Sequence, residues 1–275
     1  MAKTEPFFSV VIPTLNEEKF LPRLLKNLAA ETMRDFEVVL VDGKSEDRTV
    51  PLAKSFAKEL PKLRIVTSDR RHVAHQRNLG GTASQGKILV FMDADCQIAP
   101  YFLGGLRYRW ESAPADIVTC WMQPDVDNSG NATLAAAINL FLELQNSLNP
   151  TFLNEAMFSI KKSSFIKING FDESMNYAEG KSIMKKAEKF GFTSILVHDP
   201  MYIFSFRRFR KFGTLNVAAR IARLELAALL GIERVNTSAA KIYPMAGGTL
   251  FKKNNKAKSR FLKNFKKIFH DLNSQ

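Results

Sequence analysis

The chain has 275 residues, of which 45% are hydrophobic and 24% charged, with a formal net charge of +13. That length supports a full hydrophobic core, and the composition excludes a disordered or fibrous chain. Two cysteines, Cys96 and Cys120, exclude a disulfide framework or a cysteine-rich zinc site, which makes a reducing, cytoplasmic setting the expectation. The positive charge favours anionic partners: nucleotide phosphates, an anionic membrane face or nucleic acid.

The first half alternates strand-like and helix-like runs. Residues 8–12 predict a first strand; the apolar run is too short for a secretory signal and ends in Pro13-Thr14-Leu15-Asn16-Glu17. Residues 17–29 carry Phe20, Leu21, Leu24, Leu25 and Leu28 at helical spacing. A strand at 36–41, a helix at 49–60, a strand at 63–67 and a helix at 73–84 closed by Gly86 follow, then a nearly all-apolar strand at 88–92. Strands without polar alternation, separated by helices of about three turns, predict an α/β fold with a parallel sheet covered on both faces. The second half is less regular, with strands at 115–121, 155–160 and 193–197 and helices at 132–144 and 181–190. From residue 207 onward the chain is basic and reads as mostly helical. No stretch reaches the roughly 18 uninterrupted apolar residues of a transmembrane helix. The best candidate, 217–230, carries Arg220, Arg223 and Glu225.

Open α/β sheets bind ligands beyond the carboxyl ends of their strands. Three polar clusters fall at those ends: Pro13-Thr14-Leu15-Asn16-Glu17, Asp42-Gly43-Lys44-Ser45 and Asp93-Ala94-Asp95. Asp93 and Asp95, one residue apart after a buried strand, can both reach a hard divalent cation such as Mg²⁺ or Mn²⁺ that bridges to substrate phosphates. Gln97 follows at the same two-residue step with an amide oxygen. Asp42 can accept from a nucleobase N–H or a ribose hydroxyl, while Asp47 caps the helix that follows. Arg77 carries a guanidinium that matches diphosphate oxygens. The alternative for its segment is a solvated helix face ending in a glycine stop.

Together these segments resemble glycosyltransferase family 2, over about residues 7–200. The run from Ser9 through Asn16-Glu17-Glu18 is similar to that family's opening strand and nucleotide-holding loop. Residues 42–49 resemble its Asp-x-Ser-x-Asp-x-Thr segment, whose first Asp contacts the base. Arg77-Asn78-Leu79-Gly80 resembles its Arg-Asn-x-Gly stretch, and Phe91-Met92-Asp93-Ala94-Asp95 its metal-binding Asp-x-Asp motif. Asn169-Gly170-Phe171-Asp172-Glu173 resembles its Gly-Gly-Phe-Asp-Glu landmark near the acceptor, with Asn for the first Gly. Asp93-Ala94-Asp95-Cys96-Gln97 also resembles dolichyl-phosphate mannosyltransferases, in which the Gln joins both Asp residues around the metal. Residues 204–213 look like the Ser-x-Arg-Arg-Phe segment of one branch, where Arg207 and Arg208 would close over the diphosphate; an exposed basic helix start is the alternative.

The resemblance implies a GT-A fold, with a mostly parallel central sheet and helices on both faces. It implies metal-dependent, inverting transfer of a sugar from a nucleotide-diphosphate donor. The donor-binding residues it implies are Pro13, Thr14, Leu15, Glu17, Asp42, Lys44, Arg77, Asp93, Ala94, Arg207 and Arg208. The implied ligands for Mn²⁺ or Mg²⁺ are Asp93, Asp95 and Gln97. One position departs from the pattern: Glu179 stands at the family's Glu, but Gly180 stands at the Asp that serves as general base. Three readings follow. Glu179 is itself the base, with Asp172 the other local carboxylate; or the acceptor is an ionised phosphate that needs none; or catalysis is impaired.

Residues 1–200 read as the catalytic domain and 201–275 as a basic helical C-terminal extension on the acceptor and membrane side. Residues 259–272 place Phe261, Leu262, Phe265, Ile268, Phe269 and Leu272 on one helical face and Lys263, Lys266, Lys267 and His270 on the other. Such a helix fits an anionic membrane surface and a lipid-linked acceptor such as a polyprenyl phosphate. Packing on its own domain is the alternative. The expected location is cytoplasmic, peripheral at the membrane face. A nucleotidyltransferase, one rival, would show a Gly-rich phosphate loop where this chain reads Pro13-Thr14-Leu15. A nucleotide-sugar-binding protein without turnover is the other rival, raised by Gly180. Nucleic acid is not an expected partner, because the basic residues concentrate after residue 200 without aromatics interleaved on strands.

Overall fold

Runs of Val, Ile, Leu and Phe with no polar side are stable as strands only inside a sheet covered on both faces. In the computed structural model, which describes residues 5–148, 153–175, 178–217, 219–220 and 247–251, they take that place. The elements in chain order are β1 (Phe8–Thr14), α1 (Leu21–Ala29), β2 (Phe36–Asp42), α2 (Thr49–Ser55), β3 (Leu63–Thr67), α3 (Val73–Ala83), β4 (Ile88–Met92), α4 (Phe102–Ser112), β5 (Ile117–Pro124), α5 (Ser129–Leu148), β6 (Met157–Lys161), α6 (Lys162–Lys167), α7 (Gly180–Lys189), β7 (Ser194–Phe204) and α8 (Arg207–Phe212).

The strands form one seven-stranded sheet in the order β3-β2-β1-β4-β6-β5-β7. Every named pairing is parallel except those of β6, which runs against both β4 and β5. Alternate side chains serve two cores. Val10, Ile12, Val38, Leu40, Val90 and Met92 pack with α1 and α4 through Leu21, Leu24, Leu28, Phe102 and Leu106. Val11, Val39, Leu89 and Phe91 pack on the other side with Phe158, Phe165, Phe171 and Ile183. Each such fully buried side chain contributes about 1.5–3 kcal/mol relative to leaving it exposed.

The differences from the sequence reading have local causes. The helix expected from residue 17 begins at Leu21, with Pro22 in its first turn. Asn16 takes a left-handed φ of 55°, and the backbone after it is used in a loop. The second helix stops at Ser55 and tightens into a 3-10 turn at Phe56–Lys58. α4 was not expected, because Gly104 and Gly105 interrupt its apolar pattern. An added Cβ at Gly105 would make a tight 3.2 Å contact with Pro200 Cδ. β7 continues past residue 200, the boundary drawn between the two domains. A register shift between Cys120 and Met122 carries the ladder past Pro200, and pairing resumes at Met122 with Tyr202. The sheet therefore includes the start of the segment assigned to the extension.

Both cysteines are free and buried. Among the described residues no helix is long and apolar enough to cross a membrane. The basic helix expected at 259–272, and nearly all of the apolar stretch at 217–230, lie outside the described residues.

Candidate active site

β1, β2 and β4 end side by side, and their following loops are stitched together by side chains of 42–49. Asp42 accepts from the Ser45 N–H at 2.9 Å, and the Ser45 hydroxyl accepts from the Asn16 N–H at 2.8 Å. The Thr49 hydroxyl accepts from the Glu17 N–H at 2.7 Å. Asp47 accepts from the Glu18 N–H at 3.2 Å and the Thr49 N–H at 2.9 Å; the helix N-cap position is Arg48, so Asp47 sits one residue before the cap expected of it. These bonds satisfy loop N–H groups that no strand or helix pairs.

α3 supplies the next layer. Gln76 donates to the carbonyls of Thr14 and Val41 at 2.9 and 2.8 Å, clamping the ends of β1 and β2. Gly80 lets the helix close on the sheet, since an added Cβ would lie 2.2 Å from Val11 Cγ1. Asn78 donates to the Phe171 carbonyl at 3.0 Å, accepts from its N–H at 2.8 Å and donates to Glu173 at 2.9 Å. It thereby docks the Gly170-Phe171-Asp172-Glu173 loop, where Gly170 has φ +52°. The Phe171 ring sits 5.4 Å from the Arg77 guanidinium, within cation–π range.

Arg77, 2% exposed, is the centre of a buried charge cluster. Its Nη2 donates at 3.0 Å to both Asp93 Oδ1 and the Glu155 carbonyl, and its Nη1 lies 3.9 Å from Glu179 Oε2. Arg77 Nε and Nη1 and both Glu179 carboxylate oxygens have no hydrogen-bond partner. Glu155 Oε1 accepts from the Gly180 N–H at 2.8 Å. Burial pushes the Asp93 carboxyl up to about 6 against the pull of Arg77. Burial, then repulsion from Glu179, pushes Glu155 up to about 7, with Arg77 and the Gly180 N–H opposing. Unsatisfied buried polar groups each cost about 1–3 kcal/mol, and such clusters are enriched at functional sites.

Beside this cluster lies a solvent-open cleft of about 110 Å³. Of the residues singled out from the sequence, Pro13, Thr14, Leu15, Glu17, Asp93, Ala94, Asp95, Arg207 and Arg208 line it. Arg207 enters from the start of α8. It forks both Glu17 carboxylate oxygens at 2.8 Å, places Nε 2.6 Å from Asp95, and sits 4.1 Å over the Phe20 ring. Burial raises the Glu17 carboxyl above its usual range despite that fork.

The remaining candidates lie off the cleft lining. Asp42 is buried in its turn, and Lys44 reaches the Asp69 carbonyl at 3.2 Å. Asp172 is exposed and braces its own loop: bonds from the Ser174 hydroxyl and N–H hold its carboxyl below the usual range. Glu179 is 1% exposed behind Arg77. Gln97 is tied by its backbone to Ile203 in both directions, at 3.0 and 2.8 Å.

Among the described residues no group of three or more His, Cys, Asp and Glu forms a metal cage. Asp93 and Asp95 are two carboxylates on an open cleft, and Asp93 is 39% exposed. That donor set fits Mg²⁺ or Mn²⁺ drawing its other ligands from water and phosphate, and does not fit a closed protein cage.

Arg71, Val73, Gln76 and Gly247 also line the cleft and were missed. Gln76 could have been found as a polar residue on the buried face of α3. Gly247 belongs to a glycine pair that packs on the β1 loop. The Gly248 N–H donates to the Leu15 carbonyl at 3.0 Å, and a Cβ at Gly247 would lie 2.3 Å from that oxygen.

The sequence model of Glycosyl transferase family 2 matches residues 9–171. A PGL/p-HBAD biosynthesis glycosyltransferase of Mycobacterium tuberculosis is 42% identical over 116 residues, 41% of this chain and 45% of that protein. Glycosyltransferase AglE of Haloferax volcanii is 35% identical over 99 residues, 35% of this chain and 33% of that protein. The chain thus matches less than half the length of these curated relatives. Mannosyltransferase PcManGT from Pyrobaculum calidifontis, in complex with GDP-Man and Mn²⁺, superposes with a TM-score of 0.62 at 23% identity, covering 81% of this chain and 62% of that one. S. aureus TarS 1-349, in complex with UDP-GlcNAc, gives 0.59 at 22% identity, covering 73% and 58%. At these identities the structural likeness is one of fold.

Proposed function

The chain belongs to glycosyl transferase family 2 and has the GT-A fold, and from that premise we propose that its cleft moves a sugar from a nucleotide-diphosphate donor to an acceptor oxygen with inversion. The observation that carries this reading is the convergence of Asp93, Asp95, Arg207 and Arg208 on one open cleft at the carboxyl ends of parallel strands.

In this reading Pro13, Thr14 and Leu15 form the nucleoside floor. Asp42, whose Oδ2 is held by the Ser45 N–H, accepts from the base or ribose, with Lys44 on the same loop. Asp93 and Asp95 would hold Mn²⁺ or Mg²⁺, which when bound neutralises diphosphate charge as a Lewis acid. Arg207 and Arg208 add positive charge where negative charge develops on the leaving diphosphate. Arg77 acts from behind, orienting Asp93 through its 3.0 Å bond. Gln97 as a third metal ligand would require its side chain to turn toward the cleft. The acceptor oxygen attacks the anomeric carbon from the face opposite the diphosphate, and its proton passes to a carboxylate. A lipid-linked acceptor at a membrane face is supported by Leu140, Phe141 and Leu144, exposed together on α5.

A panel of nucleotide sugars with Mn²⁺ or Mg²⁺, scored by released nucleoside diphosphate, tests this. We expect metal-dependent release from one donor, reduced roughly 100-fold or more in Asp95→Ala. Neither release nor binding of any donor would overturn the reading. Gly180 favours one alternative, a protein that binds nucleotide sugar without turnover; tight donor binding with no release to any acceptor would establish it.

A further inference from the structure

Gly180 opens the ten-residue helix α7, and a side chain there would require Glu155 and Leu153 to shift. A Cβ built on it would lie 2.6 Å from Glu155 Cγ, 2.8 Å from Glu155 Oε1 and 2.7 Å from Leu153 Cδ1. The Glu155 carboxylate thus occupies the volume that a short acidic side chain at position 180 would fill.

It is held there from two sides. Oε1 accepts from the Gly180 N–H at 2.8 Å, at a helix N-terminus that favours negative charge. The Glu155 carbonyl accepts from Arg77 Nη2, the same nitrogen that holds the cleft residue Asp93. Glu155 is half-buried, whereas Glu179 is closed off at 1% exposure. Of these two carboxylates, Glu155 is the less buried.

We propose that Glu155 is the general base of the transfer, supplying from the start of β6 the carboxylate that position 180 lacks. This rests on the transfer reading above. As the acceptor oxygen bonds to the anomeric carbon, its proton passes to Glu155 Oε2. The bond from that carbon to the diphosphate oxygen breaks, and its electron pair leaves on the nucleoside diphosphate. Protonated Glu155 then returns its proton to water. Glu179 is a positioning residue, facing Arg77 and raising the basicity of Glu155.

The groups around Glu155 agree with that role. Arg77 faces it from α3, Asp93 from the end of β4, and Glu179 with the Gly180 N–H from α7. Burial and repulsion from Glu179 raise its carboxyl above the usual range, the direction in which a general base gains basicity.

The test compares wild type with Glu155→Gln, which keeps the shape and an acceptor for the Gly180 N–H. Donor binding and nucleoside diphosphate release are measured with UDP-glucose, UDP-N-acetylglucosamine and GDP-mannose plus Mn²⁺. Water, octyl glucoside and polyprenyl phosphate serve as acceptors. The expected result is a fall in kcat of roughly 10²–10⁴-fold, with donor affinity and melting temperature unchanged and the rise of rate with pH near 7 abolished. A carboxylate moved back, Glu155→Gly with Gly180→Asp, should regain about tenfold or more over Glu155→Gly alone. Turnover of Glu155→Gln within about threefold of wild type would overturn the proposal, whether the acceptor is a hydroxyl or polyprenyl phosphate. So would loss confined to Glu179→Gln, or donor binding without release by the wild type. Failure of the wild type to bind any donor would instead bring down the transfer reading beneath it.

Discussion

Acidic side chains are drawn into the molecule at both ends of the sheet. At the amino end, Glu37 on β2 is fully buried, with three donors around it. The Ser9 hydroxyl donates at 2.7 Å, the Gln85 N–H donates as well, and the Lys62 ammonium lies 3.0 Å away. Burial would raise its carboxyl, but these donors outweigh burial and hold it below the usual range. At the carboxyl end, Asp93, Glu155 and Glu179 face the guanidinium of Arg77, and burial wins at Asp93 and Glu155. Burial alone therefore does not separate a structural acid from a chemical one. The balance of donors against burial does: at Glu37 the donors outweigh burial, while at Asp93 and Glu155 burial wins.

That contrast can be broken experimentally, most sharply at Arg77. Arg77→Met removes the buried cation that faces three carboxylates, and should cost about 3–5 kcal/mol in urea unfolding as well as turnover. A loss below about 1 kcal/mol would mean the acids protonate and do not need it.

Glu37→Gln should cost about 1–3 kcal/mol at pH 7 and leave turnover unchanged. The sign of its pH dependence is fixed by the direction of its shift. The folded carboxyl sits below its ordinary value of 4.5, so its contribution is complete above that pH and fades as pH falls through the folded value. The variant's stability should accordingly vary less with pH below 4.5 than that of wild type. Equal slopes would remove Glu37 from the structural class.

The smallest effect is expected for Lys62→Met, at most about 1 kcal/mol, because Lys62 is one-third exposed and its pairing is solvent-screened. A cost equal to that of Arg77→Met would erase the distinction between the two ends.

The first four strands were legible because each is a short apolar run stopped by a polar cluster, and the cleft residues Asp93 and Asp95 lie at such a stop. The donor loop was legible as a pattern, but not its construction: Ser45, Asp47 and Thr49 act by bonding backbone around thirty residues earlier. That same bonding, not helix propensity, takes the backbone of Glu17 and Glu18 out of the first helix. Glu155 was illegible for a sharper reason. It stands alone between Asn154 and Ala156, in no motif, and becomes notable only through contact with a residue 25 positions away that has no side chain. β6 brings it to Asp93 by inserting antiparallel between β4 and β5, a reversal that no local signal announces.

The fork of Arg207 on Glu17, spanning 190 residues, has a consequence for how the cleft takes up an anion. A diphosphate bound as proposed would meet a guanidinium already occupied by Glu17 and Asp95, so its entry would be an exchange of partners and not a simple gain of attraction. Affinity is then a difference between two pairings, and its dependence on ionic strength is shallower than the local charge count implies. On the proposed reading, whatever draws Arg207 off Glu17 would also pull on the first turn of α8.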